Sequence, residues 1–304
     1  MSPRARLFTA FLVIFLAAVP AGLEAKVRVV ATVLPLGEFA SRIAGDRAEV
    51  SLLLPPGAGV HTWQPRPADI SRLAKADLLL YIGADLEPWL PGLLKALPGG
   101  RLRTFEASSG LPMIEARDEH EAGEADHGPL DPHVWLDLEI DVRIVGGIAE
   151  ELSAIDPDGR NAFRANAEAL AGRLRRLDAD FRDGLSDCPG RDIVLAGHGA
   201  FGYLARRYGL VQRALYGLSP DAQPKPRDLI EAVDFCRRNG VRTVFFENSV
   251  SPALSRTLAR EIGGRVLVLH AGHNLTREQQ DRKAGFFELM DENLKALRLG
   301  LGCR

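Results

Sequence analysis

Three histidines stand in strings that carry chemistry. They are Gly59-Val60-His61-Thr62-Trp63, Asp131-Pro132-His133-Val134-Trp135 and Ala196-Gly197-His198-Gly199-Ala200. The stretches between them are far too long for one local loop, so only a folded chain can bring them together. An imidazole is a nitrogen donor of borderline softness. Three of them converging, with a fourth ligand nearby, suit a divalent ion such as zinc. Taken alone, each is more simply an ordinary surface or core histidine. Their shared position is what gives them meaning.

That position follows from the elements around them. Apolar runs at Val27–Val33, Val50–Leu54, Leu78–Ile82 and Leu102–Phe105 read as strands, with amphipathic stretches at Leu36–Ile43, Ala68–Ala76 and Pro88–Leu97 between them. The second half repeats the plan. Strands are expected at Ile193–Ala196, Val211–Leu215, Thr243–Phe246 and Val266–Leu269. Helices are expected at Ala200–Tyr208, Arg227–Asn239, Pro252–Ile262 and Ala284–Leu301. Uninterrupted apolar strands alternating with helices predict parallel sheets covered on both faces. In such sheets ligands bind beyond the carboxyl ends of the strands. His61 follows the second strand through the Gly57–Gly59 turn, His198 follows Ile193–Ala196, Glu247 caps Thr243–Phe246, and His270 caps Val266–Leu269.

Between the halves, Asp158 to Leu185 is rich in Ala, Leu, Arg and Asp. Phe163, Leu170, Leu174, Leu177 and Phe181 fall at helical spacing, and Asp156-Pro157 marks a start. A helix of ~28 residues would be about 42 Å long. The expected fold is α/β: two βα lobes with parallel sheets joined by one long rigid helix, the metal site lying between the lobes. The expected division is 26–156 for the first lobe, 157–187 for the linking helix and 188–304 for the second lobe.

Residues 1–25 have the layout of a cleavable signal peptide: Arg4 and Arg6, then an apolar run from Leu7 to Val19, then Pro20, Gly22 and Ala25. No Cys follows the expected cleavage sites, so no lipid attachment is expected and the mature chain is read as periplasmic. The formal net charge of the 304 residues is −2, one unit more negative without the leader, which speaks against nucleic acid or an anionic membrane as partner. Residues Glu115–Asp131 carry seven carboxylates along with His120 and His127, and read as an acidic loop peripheral to the site. Cys188, Cys236 and Cys303 allow one disulfide, in any of three pairings.

The strings His61-Thr-Trp-Gln-Pro-Arg-Pro-Ala-Asp-Ile, Leu130-Asp-Pro-His133-Val-Trp-Leu-Asp and Gly197-His198-Gly-Ala-Phe-Gly-Tyr-Leu-Ala-Arg-Arg-Tyr-Gly-Leu resemble the zinc and manganese receptors of ABC importers, the ZnuA/TroA family. The resemblance implies a monomeric solute-binding protein that captures Zn2+ as cargo and delivers it to the transmembrane subunit of an ABC permease. It implies His61 and His133 as ligands from the first lobe and His198 from the second. Relatives often place an aspartate just after the last strand. Here the corresponding string is Leu269-His270-Ala-Gly-His273-Asn, and His270 is the expected fourth ligand. Glu247 is the alternative, as ligand or as acceptor for a ligand imidazole, with His273, Asp281 or a water behind it. Trp63 and Trp135 are expected to shield the site, and Phe201, Tyr203 and Tyr208 to pack a helix. A manganese or iron receptor of the same family is the closest alternative function. A zinc hydrolase using Glu247 as base is a more distant one, since there is no His-Glu-x-x-His helix, and an adhesin on the same fold is a third.

Overall fold

The computed structural model describes residues 26–97, 100, 102–115, 130–215, 218, 225–247 and 252–304. The expected signal peptide, residues 1–25, and nearly all of the expected acidic loop lie outside these residues. No described helix is long and apolar enough to cross a membrane.

The first lobe is a four-stranded sheet of β1 (Val27–Ala31), β2 (Ala48–Leu52), β3 (Leu78–Tyr81) and β4 (Arg103–Glu106), with helices α1 (Leu34–Ala44), α2 (Pro67–Leu73), α3 (Leu90–Ala96) and α4 (Leu138–Ile155). After α5 (Arg160–Ser186) the second lobe follows. Its elements are β5 (Asp192–Leu195), α6 (Gly202–Tyr208), β6 (Val211–Ala214), α7 (Pro226–Asn239), β7 (Thr243–Phe246), α8 (Ala253–Glu261), β8 (Arg265–Val268), α9 (Arg277–Asp281) and α10 (Phe286–Leu301). Both sheets are parallel throughout, and their orders are equivalent: β2-β1-β3-β4 and β6-β5-β7-β8. All loops at the carboxyl edges therefore face the same kind of crevice.

The strand β2 ends two residues before the apolar run does, because Pro55 and Pro56 cannot donate to a ladder. The helix α4 is an element that the strand-and-helix alternation leaves out. Its Ile140, Ile144, Ile148 and Leu152 form one buried stripe, and Asp137 caps it by accepting from Glu139 N. The helix α5, 27 residues long, packs on α1 and α4 on one side and on α6 and α10 on the other. One apolar core runs through it from Val29 and Phe39 in the first lobe to Phe245 and Phe286 in the second. A smaller core under α7 and α8 contains Cys236, the free cysteine. Cys188 and Cys303 form the disulfide, which ties the end of α5 to the chain beyond α10.

Candidate metal centre

Each of the three histidines sits in a loop that is pinned from outside. The His61 loop follows β2 and is held by Trp89, whose Nε1 donates to Val60 O at 2.8 Å. His133 precedes a single 3-10 turn, Val134–Leu136, which leads directly into α4. His198 follows β5, and its loop is fixed by Gln212, which accepts from Phe201 N at 2.6 Å and donates to Gly199 O at 3.1 Å.

The structure brings these three together. One ring nitrogen from each of His61, His133 and His198 lies within 4.8 Å of the others. Ring centroids are 5.5 Å apart for His61 and His133, 5.7 Å for His61 and His198, and 5.3 Å for His133 and His198. All three are buried, at 6%, 0% and 3% exposure.

Carboxylates orient two of the rings. Asp131 Oδ1 lies 2.8 Å from His133 Nδ1 and also accepts from His133 N at 2.9 Å. A carboxylate accepts only, so the proton sits on Nδ1 and the lone pair on Nε2 faces the cluster. His133 Nε2 has no hydrogen-bond partner among the described residues. Glu247 Oε2 lies 2.9 Å from His198 Nδ1, at ion-pair distance, and neither ring nitrogen of His198 makes a hydrogen bond among the described residues. Glu247 thus stands beside one imidazole of the triad. Asp131, read from sequence as the end of the acidic loop, is instead buried at 3% exposure against His133. The local string gave a signal for it, since an Asp two residues before His can fold back on the ring.

His270 does not join the cluster. Asn293 of α10 grips its backbone from both sides, accepting from His270 N at 2.7 Å and donating to His270 O at 2.8 Å. The ring is turned onto α9 and α10, where Nε2 meets Glu292 at 3.0 Å and Nδ1 meets Gln279 at 3.3 Å. Burial holds this imidazole below its ordinary pKa, against the opposing charge of Glu292. Asp281 is exposed at the end of α9. His273 is buried, with Nδ1 3.7 Å from Glu247 Oε1, the carboxylate that also meets His198. Burial pushes its pKa down to about 4 against the pull of Glu247, and the charges of His198 and His133 lower it further.

The loop carrying His270 and His273 is the main bridge between the lobes. Leu34 N donates to His273 O at 2.8 Å, Gly57 N to Leu275 O at 2.8 Å, and Trp135 Nε1 to Ala271 O at 2.7 Å. Asn274 Nδ2 donates to Pro55 O at 2.8 Å and Ala58 O at 2.9 Å. Trp135 is fully buried beside His133, with centroids 5.4 Å apart, whereas Trp63 is half-buried and packs edge-on against Trp89. Phe201, Tyr203 and Tyr208 are buried around α6.

Two parallel-sheet lobes on a long helix, with a buried triad of imidazoles between them, define a metal-binding protein of the two-lobed α/β class. Residues 29–300 match the family described as ZnuA, zinc-uptake complex component A, periplasmic, and the chain belongs to that family. It is 36% identical over 283 residues to the zinc-binding lipoprotein AdcA of Streptococcus pneumoniae, covering 90% of this chain and 56% of that one. It is 34% identical over 278 residues to the high-affinity zinc uptake system protein ZnuA of Bacillus subtilis, covering 90% and 87%. The chain therefore spans about half the length of the pneumococcal relative and most of the Bacillus one. Among solved structures it is similar to the Zn(II)-bound ZnuA-like domain of Streptococcus pneumoniae AdcA, with TM-score 0.78, 34% identity, and coverage of 91% of this chain and 99% of that one.

Proposed function

We propose that this chain is an exported zinc receptor: it captures Zn2+ between lobes 26–156 and 188–304, which are joined by the linking helix 157–187. It hands the ion, as a monomer outside the cytoplasm, to the transmembrane subunit of an ABC permease. The observation that carries the reading is the buried triad His61, His133 and His198, with two of its rings backed by carboxylates. A set of three nitrogen donors favours zinc over manganese, which prefers oxygen ligands. The zinc uptake names of the relatives agree with it. His273 is the residue we assign to complete the shell, because it lies buried against Glu247, the carboxylate that also meets His198. The engagement of Glu247 with His198 and His273 supports a binding role for this carboxylate over that of a hydrolytic base.

Metal analysis of protein purified without added metal, followed by zinc and manganese competition, tests the reading. Zinc should be retained and outcompete manganese. His198→Ala should lose most of the affinity, His273→Ala a smaller part, and His270→Ala little. Tighter binding of manganese, or unchanged zinc affinity in His198→Ala, would overturn it.

A further inference from the structure

An ion-pair network centred on Arg207, with buried carboxylates at Asp137 and Asp178 and exposed members around them, joins the segments that carry two of the three histidines. On the first-lobe side, Asp137 stands four residues after His133, at the cap of α4. On the second-lobe side, Arg207 is on α6, which begins four residues after His198. Arg207 Nη1 lies 3.1 Å from Asp137 Oδ1, and its Nε donates to Asp178 Oδ1 of α5 at 2.5 Å. Tyr208 OH donates to the same Asp178 oxygen at 3.0 Å, and Arg182 also pairs with Asp178. Arg206 reaches Asp137 Oδ2 at 3.7 Å, and Arg207 Nη2 reaches Glu139 Oε2 at 3.6 Å.

The guanidinium of Arg207 is only 13% exposed, and its two main partners are 10% and 7% exposed. Surface ion pairs contribute little, but a buried, multiply bonded one fixes geometry, because releasing one partner strands the others in a poorly solvated place. Burial raises the pKa of Asp178, yet its bonds to Arg207 and Tyr208 prevail and hold it below the ordinary value. Asp141 lies one turn further along α4. It is fully buried, and its carboxylate has no hydrogen-bond partner among the described residues. Burial, and then the charge of Asp137, push its pKa well up, while Arg207 opposes them. The one guanidinium thus faces carboxylates from both α4 and α5.

We infer that Arg207 is a positioning residue for metal capture: by pairing at once with Asp137 and Asp178, it sets the separation of the His133 and His198 segments and so the geometry in which the two imidazoles meet an ion. Arg207 touches no ligand, so its effect passes entirely through backbone placement. Lysine is a point charge and cannot bridge two carboxylates with a planar fork.

The inference rests on the zinc-receptor reading, and the test separates the two. Zinc dissociation constants and release rates would be measured for the wild type, Arg207→Lys, Arg207→Met, Asp137→Asn and the double variant Arg207→Met/Asp137→Asn. The visible spectrum of the Co2+-substituted proteins would be recorded alongside. Groups that orient ligands typically change metal affinity by about 10–100-fold. Arg207→Met should weaken zinc by about 10-fold or more, mainly through faster release, and should alter the Co2+ bands that report ligand geometry. Arg207→Lys should fall between it and the wild type. The double variant should be scarcely worse than Arg207→Met alone, because Arg207→Met already removes the Arg207–Asp137 contact that Asp137→Asn breaks. If Arg207→Met does not fold, Arg207→Lys and Asp137→Asn carry the same comparison. Wild-type affinity and an unchanged Co2+ spectrum in the folded variants would overturn the inference and leave the receptor reading standing. So would additive losses in the double variant. A wild type that fails to bind zinc would overturn both.

Discussion

At the scale of single residues, the site depends on groups that never touch the ion. Gly202 shows how closely they are packed: a Cβ there would stand 2.6 Å from Asp131 Oδ2. Asp131 is buried and already committed to His133, so it cannot retreat without tilting the His133 ring. Gly202→Ala should therefore lower zinc affinity about 10-fold while leaving the fold in place, as isothermal titration and circular dichroism together would show; unchanged affinity would mean that Asp131 does not orient His133. Glu87 is a buried carboxylate outside the centre. It accepts from Thr32 Oγ1 at 2.6 Å and from Ile82 N and Gly83 N at 3.0 Å each. Burial nevertheless outweighs these bonds and raises its pKa from 4.5 to about 7. Between those values the folded chain holds a proton that the unfolded chain has released. This group's contribution to stability therefore declines as pH rises from about 4.5 to 7, by up to about 3 kcal/mol. Denaturant unfolding of the wild type and of Glu87→Gln across this range should show the two curves diverging with pH; parallel curves would refute the shift.

At the scale of elements, the bridging loop after β8 holds the lobes in register. Asn274 spans them with two side-chain hydrogen bonds to Pro55 O and Ala58 O, in the turn that leads to His61. Asn274→Ala should cost about 1–3 kcal/mol and weaken zinc in parallel, which thermal unfolding with and without metal would measure. Most of the architecture was legible in the sequence. Continuous apolar strands and the Phe163-to-Phe181 stripe each have one physical interpretation, and the ends of β7 and α7 fall within a residue of expectation. His61 and His198 were legible because strand ends converge on one edge, and His133 through its Asp-Pro-His-Val-Trp string, since no described strand leads into it. The helix α4 falls in a stretch where the strand-and-helix alternation predicts no element, although its Ile140–Ile144–Ile148–Leu152 stripe has helical spacing. His270 was misplaced for a different reason. Its position one step past a strand is visible in the sequence, but the grip of Asn293, twenty-three residues away, is not. A strand end fixes where a backbone emerges, whereas side-chain direction is decided by what packs over it.

At the scale of the whole molecule, two constraints act on opposite edges of the second sheet. The imidazoles gather at its carboxyl edge, while the disulfide Cys188–Cys303 lies before β5 and after α10, at the amino edge, and closes a loop with a sequence separation of 115. Such a loop is worth about 4–5 kcal/mol in the chain-entropy account. Zinc at about 1,000 times its dissociation constant adds roughly 4 kcal/mol by binding only the native state. The disulfide acts on the unfolded chain and the metal on the folded one, through regions that share no side chain, so their contributions should add. Cys188→Ser/Cys303→Ser should lower the unfolding free energy of the metal-free protein by about 2–5 kcal/mol and leave the zinc increment as it is in the wild type. Denaturant unfolding of both proteins, with and without zinc, gives the four numbers required. An increment that shrinks along with the disulfide would mean that the amino edge also sets the ligand geometry, and that the core running through α5 transmits strain from one edge of the sheet to the other.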